Sequence, residues 1–137
     1  MSDDARAAAL RELETRHGIP PDRFCGMTAA EMSRAIVAHD AGPRQPGGPV
    51  GYDPIASAET RLGWLRDEFG PDADVETIRL RMQFFGGRVA AALKLDWLAD
   101  NAAFERAVAE GLDEHYPDLS AEARAVIGGG YAYSHWK

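Results

Sequence analysis

The chain has one cysteine, two lysines and no uninterrupted apolar run of any length, and each shortage removes a class of protein. A lone cysteine builds neither a disulfide framework nor a four-Cys zinc site. A bilayer-spanning helix needs about 20 consecutive apolar residues, and no stretch here approaches that length. The first residues, Met1-Ser2-Asp3-Asp4, are acidic where a secretory signal is basic and then apolar. The expected setting is the cytoplasm, with no membrane contact. Bases are also in short supply, 15 against 22 acids, for a net charge of −7. Nucleic acid is a polyanion whose binding demands a basic surface, so direct nucleic-acid binding is not expected. The four histidines, His17, His39, His115 and His135, show no ligand spacing, and neither Gly86-Gly87 nor Gly128-Gly129-Gly130 forms a phosphate-binding loop. No metal and no cofactor are expected.

What the chain does have is length and apolar content for one core: 137 residues, 45% hydrophobic. Punctuation divides it into helices. The first runs from about Asp3 to His17, with a thin stripe of Leu10 and Leu13, and ends at Gly18 and Pro20-Pro21. Thr28-Ala-Ala-Glu31 is a capping-box pattern opening a second helix, with Met32 and Ile36 on one face, that stops near Asp40. Residues 41–54 hold four prolines and four glycines, too many for any regular element. Asp53-Pro54 has the form of a cap and first-turn proline for a third helix carrying Ile55, Ala58, Leu62, Leu65 and Phe69.

Asp74 caps a longer helix with two apolar stripes, Val75/Ile78/Met82/Phe85/Val89/Ala92 and Leu80/Phe84/Ala91/Leu95, expected to be covered on more than one side. A fifth helix begins at Asp100 or Asn101 with Phe104, Val108 and Leu112 inward, and closes at Tyr116-Pro117. Ser120 starts the last, which the three glycines should weaken; Tyr131 to Trp136 alternates like a strand. The predicted fold is all-α, a compact bundle of five or six helices around one long buried central helix, in a single domain over 1–137.

Negative charge is concentrated. Between Asp96 and Glu122 stand eight acids and one base, Arg106, so this segment equals the charge of the whole chain. Helices normally intersperse bases for i,i+4 pairing, and a one-sign face speeds encounter with an oppositely charged partner. With Trp and Tyr nearby, such a patch forms a protein-binding hot spot. Glu105, Glu110, Asp113, Glu114, Tyr131, Tyr133 and Trp136 are therefore the expected partner-binding residues, for a partner with a basic surface.

Catalytic candidates are few. His39-Asp40 sits at a helix C-terminus, with a titrating group beside a carboxylate. Neighbouring helical positions point in different directions, so the pair makes a poor dyad, and a helix-dipole role for His39 is the plainer account. Cys25 lies near a helix start, where thiol acidity rises, but a lone cysteine among apolar residues is usually packing. No catalytic constellation is complete.

Gly86-Gly87 costs its helix about 1 kcal/mol per glycine relative to Ala. The expected compensation is a close helix crossing, with Gly63 or Gly128–Gly130 opposite. The alternative is room for a ligand walled by Trp64, Phe84, Phe85 and Trp97, with loop 41–54 as lid and His39 or Asp40 as the polar group.

Leu10 to Met32, LRELETRHGIPPDRFCGMTAAEM, is similar to the start of small tail assembly chaperones of some tailed phages and gene-transfer particles. Gly18, Pro21, Asp22, Phe24, Met27, Thr28 and Glu31 carry the resemblance, over about 20 residues of the chain. Cys25 departs from it, standing where those chains have an aromatic. The resemblance implies a non-catalytic helper that binds a tape-measure or tail protein, and it carries over no catalytic residue. The expected function is that of an assembly chaperone, adaptor, or immunity or antitoxin protein. The rivals are a small-molecule-binding protein or compact helical enzyme, and a DNA-binding regulator with Thr28–His39 as half of a helix-turn-helix; a long Pro-rich loop argues against the last.

Overall fold

Each helix begins at a side chain that accepts the backbone N–H three residues on. Ser2, Thr28, Ser57, Asp74, Asp100 and Ser120 take the amides of Ala5, Glu31, Thr60, Thr77, Ala103 and Ala123 at 2.8–3.2 Å. Each such cap contributes about 1 kcal/mol by satisfying an orphan donor. The computed structural model describes residues 2–43 and 51–136. Over these it has six helices: α1 (Asp3–Arg16), α2 (Ala29–Ala41), α3 (Ala58–Phe69), α4 (Val75–Leu93), α5 (Asn101–His115) and α6 (Ala121–Trp136). The fold is an all-helical bundle, with no strand among the described residues. No helix of those residues is long and apolar enough to cross a membrane. Residues 44–50, most of the Pro/Gly stretch, lie outside the description.

Burial follows the apolar stripes. The main core joins Phe24 and Cys25 to Met32 and Ile36 of α2, Phe85 and Val89 of α4, Phe104, Val108 and Leu112 of α5, and Ala123 and Val126 of α6. A smaller cluster of Ala35, Leu65 and Val75 ties α2 to α3 and α4. The long helix α4 is flanked by α2, α3 and α5, while α2 shares the centre, packed on α3, α4 and α6. Helix α1 lies outside, as its thin stripe implies, with Leu13 at the surface. Thr28 and Glu31 form both halves of the expected capping box. Among the described residues the next helix after α2 starts at Ala58, farther on than the short turn of a helix-turn-helix.

Three local expectations are overturned. Asp53 does not cap α3: its carboxylate accepts Ile55 and Ala56 N–H in a tight turn, and Ser57 takes over four residues later. Ile55 is consequently outside the helix and 89% exposed. Residues 131–136 are helix, not strand, and the three glycines do not interrupt α6. Packing overrides their low propensity: Tyr52 lies on Gly129 and Gly130, Trp97 meets Tyr131, and His135 stacks on Phe104 with centroids 4.0 Å apart. Nor do Gly86 and Gly87 sit at a tight crossing. A methyl added at Gly86 would meet nothing within 4 Å, and one at Gly87 only Leu10, at 3.8 Å. The close approach is instead at Gly111 of α5, where a methyl would overlap Leu93 from the end of α4.

Candidate functional site

The open side of Gly86 is the floor of a cleft of about 670 Å³ between the C-terminal end of α2, the middle of α4 and the second half of α6. On α4, Arg79, Met82, Gln83 and Gly86 recur at three- and four-residue steps, so one helix face lines it. Phe85, Val89, Val126 and Ile127 form the apolar base, and Trp97 and Tyr131 one aromatic wall. His39, Asp40, Tyr52 and Arg61 close the other end, and Ser134 is on the rim.

The polar end is built by a chain reversal. The carbonyl of Asp40 accepts the N–H of Asp53 at 2.8 Å, bringing the segment after the Pro/Gly stretch back to the end of α2. Arg61 fastens the junction. Only 9% exposed, it donates to the carbonyls of Ala56, His39, Asp40 and Asp53. These include two carbonyls at the C-terminal end of α2, where a cation is favoured. Gly42 ends α2 with φ 74°, and the Trp64 ring lies 2.7 Å from where a Cβ would stand, so both backbone and space call for glycine.

His39 and Asp40 do meet, against the expectation from their adjacency: Nδ1 lies 2.6 Å from the Asp40 carboxylate, with both side chains mostly buried. An ionised carboxylate only accepts, so Nδ1 donates to it. The imidazole is thereby held in one orientation. What the arrangement offers is an oriented hydrogen-bonding end on a largely apolar hollow, the usual composition of a small-molecule site.

The remaining predicted residues are dispersed. Trp64 lines a second groove between α2 and α3, and Phe84 faces His17 on the α1 side, with ring centroids 5.6 Å apart. Phe85 and Trp97 do border the cleft. Cys25 is fully buried with φ 57°, and burial pushes its thiol above the ordinary value, the opposite of nucleophile activation. Within the acidic segment, Asp113 pairs with Arg124 and Asp118 with Arg23, while Asp96 and Asp100 accept backbone N–H groups. Glu105, Glu110 and Glu114 stand exposed on α5. Tyr131 is half-buried in the cleft wall, Tyr133 approaches Tyr52, and Trp136 is 64% exposed. Among the described residues no three His, Cys, Asp or Glu side chains converge on a metal position.

Tyr52, Arg61, Arg79 and Ser134 belong to the cleft without having been singled out. Two of them left a trace in the pattern. Arg61 lies between Ala58 and Leu65, and Arg79 between Val75 and Met82, so both are cations set into apolar stripes, and the buried one, Arg61, demands partners.

No protein-family model, curated protein or solved structure matches the chain.

Proposed function

We propose that this is a small-molecule-binding helical protein, acting in the cytoplasm, whose ligand lies in the cleft against Gly86 with its polar end at His39. The observation that carries this reading is the His39–Asp40 hydrogen bond at the end of an apolar hollow of ligand size. A surface serving only solubility has no need of an oriented imidazole beside an open apolar floor. The acidic segment, by contrast, commits Asp113 and Asp118 to ion pairs and Asp96 and Asp100 to backbone N–H groups.

The test is a Gly86→Leu variant. It adds side-chain volume to the cleft while removing a helix-interior glycine, so folding should be kept or improved as binding is lost. Ligand-observed NMR against a set of aromatic and aliphatic fragments should find binders of the wild type that release from the variant. A fragment set that binds neither protein, or binds both equally, removes the reading.

A second reading retains protein binding through α5, favoured by the exposure of Glu105, Glu110, Glu114 and Trp136. It covers the tail-assembly chaperone implied by the N-terminal resemblance, and adaptors and immunity proteins generally, with a basic partner. Co-purification that weakens with salt and fails for a triple Glu→Gln variant at 105, 110 and 114 would support it.

A further inference from the structure

We infer that the ligand of the cleft is a small carboxylate, an apolar or aromatic body with one anionic end received by Arg79. This rests on the small-molecule reading above and names the ligand's class. The first ground is charge. In a chain of net −7, the formally charged side chains lining this cleft are two arginines, Arg61 and Arg79, and one carboxylate, Asp40, which is bonded to His39. Arg61 has no carboxylate partner among the described residues, and its donors go to backbone carbonyls. Its charge therefore remains to bias the hollow toward anions.

The second ground is a loosely held guanidinium. Arg79 lines the cleft with a partly exposed side chain. Its ion pair among the described residues is long, Nη2 to Glu76 at 3.4 Å, and both side chains are substantially exposed. The terminal nitrogens are thus held only loosely by Glu76. A planar carboxylate matches the two terminal nitrogens with two parallel hydrogen bonds, while one available guanidinium and apolar walls suit a phosphate dianion less well. Met82, Phe85 and Trp97 then take the body of the molecule.

The experiment titrates the full chain with matched acids and primary amides, phenylacetate with phenylacetamide and indole acetate with its amide, following backbone amide shifts of Gly86, Gly130 and Ser134. The acid should bind about tenfold or more tighter than its amide. Arg79→Met should bring the two within about threefold, chiefly by weakening the acid. Glu76→Gln, at an exposed position that leaves the fold alone, should strengthen the acid about two- to fivefold by removing a competitor, with no effect on the amide. Equal affinities for acid and amide in the wild type overturn the carboxylate inference and leave the cleft reading standing. A preference that survives Arg79→Met overturns the role of Arg79. If no probe of either kind shifts the cleft amides at millimolar concentration, the cleft reading falls and this inference with it.

Discussion

Arg88 reaches beneath α1 to Glu14, with Nε 2.6 Å from the carboxylate and both side chains largely covered. The same guanidinium donates to the carbonyls of Pro20 and Asp22, so one side chain of α4 anchors the outer helix and the turn that follows it. Removing one member of a covered pair strands the other. Arg88→Met should therefore lower stability by about 3–5 kcal/mol, and a double change with Glu14→Leu should recover a substantial part. Urea denaturation of the two variants checks both statements.

Glycine substitutions separate cleft floor from tight contact. Gly86→Ala meets nothing and relieves a helix-interior glycine, so it should stabilise by about 0.5–1 kcal/mol. Gly129→Ala makes the same local gain but meets Tyr52 Cβ at 3.2 Å and its backbone N at 3.5 Å. It should gain less, and it should displace Tyr52 from α6. Thermal unfolding ranks the pair, and a change in Tyr52 ring shifts reports the displacement.

Acid should weaken the fold through carboxylates held below their ordinary values. Glu31 accepts the Thr28 N–H, Asp74 accepts from Thr77, and Asp118 accepts from Arg23. A carboxylate whose pKa is lower folded than unfolded stabilises in full above its ordinary value, 4.5 for Glu31 and 3.8 for the aspartates, and the contribution disappears as pH falls through the folded value. A stability profile from pH 6 down to about 2 should fall in that acid window, and Glu31→Gln should flatten part of it. A profile that is level there refutes the assignment.

Cys25 should behave as an inert thiol. Burial raises its pKa, so the neutral form is favoured in the fold; this stabilises fully below the ordinary value of 9.0 and fades as pH rises above it. A thiol reagent at pH 8 should react with the native protein only at the rate of opening, and promptly in denaturant. Rapid native labelling would contradict the burial.

Arg61 should control the polar end of the cleft. Arg61→Met leaves several partly buried carbonyls short of a donor and should cost about 2–4 kcal/mol. The amide of Asp53, bonded to Asp40, should exchange faster in the variant than those of α5, a readout that a uniform loss of stability would not give.

The helices were legible because their starts are written in short-range chemistry. Thr28/Glu31, Asp74, Asp100 and Ser120 each act within three residues, and the stripe Phe104/Val108/Leu112 is buried as spaced. The Asp53 cap was displaced by a local turn onto Ile55 and Ala56, while the glycine misreadings come from long-range packing. Only the folded chain sets Tyr52 on Gly129 and Gly130, which lets α6 continue, and Leu93 on Gly111, which makes that position and not Gly86 the tight contact. Of the cleft, His39, Asp40, Phe85 and Trp97 were visible as residue types, and their meeting was not. Trp64 and Phe84 were assigned by aromatic character alone, which says nothing of the side of the bundle they occupy. Arg61 and Arg79 were the missed signal, because an arginine within an apolar stripe resembles a break in the pattern until its partners are seen.

The last two turns of α6 follow three residues that favour coil, so their order comes from lateral supports: Tyr52, Trp97, and the Ala99 carbonyl, which lies 3.0 Å from His135 Nε2. Tyr131 and Ser134 on those turns are also walls of the hollow. On the ligand reading proposed above, winding of residues 131–136 and occupancy of the hollow are two readouts of one equilibrium. A bound molecule should protect amides from 131 to 136 against exchange, and loosening Tyr52 should fray the terminus and empty the site together.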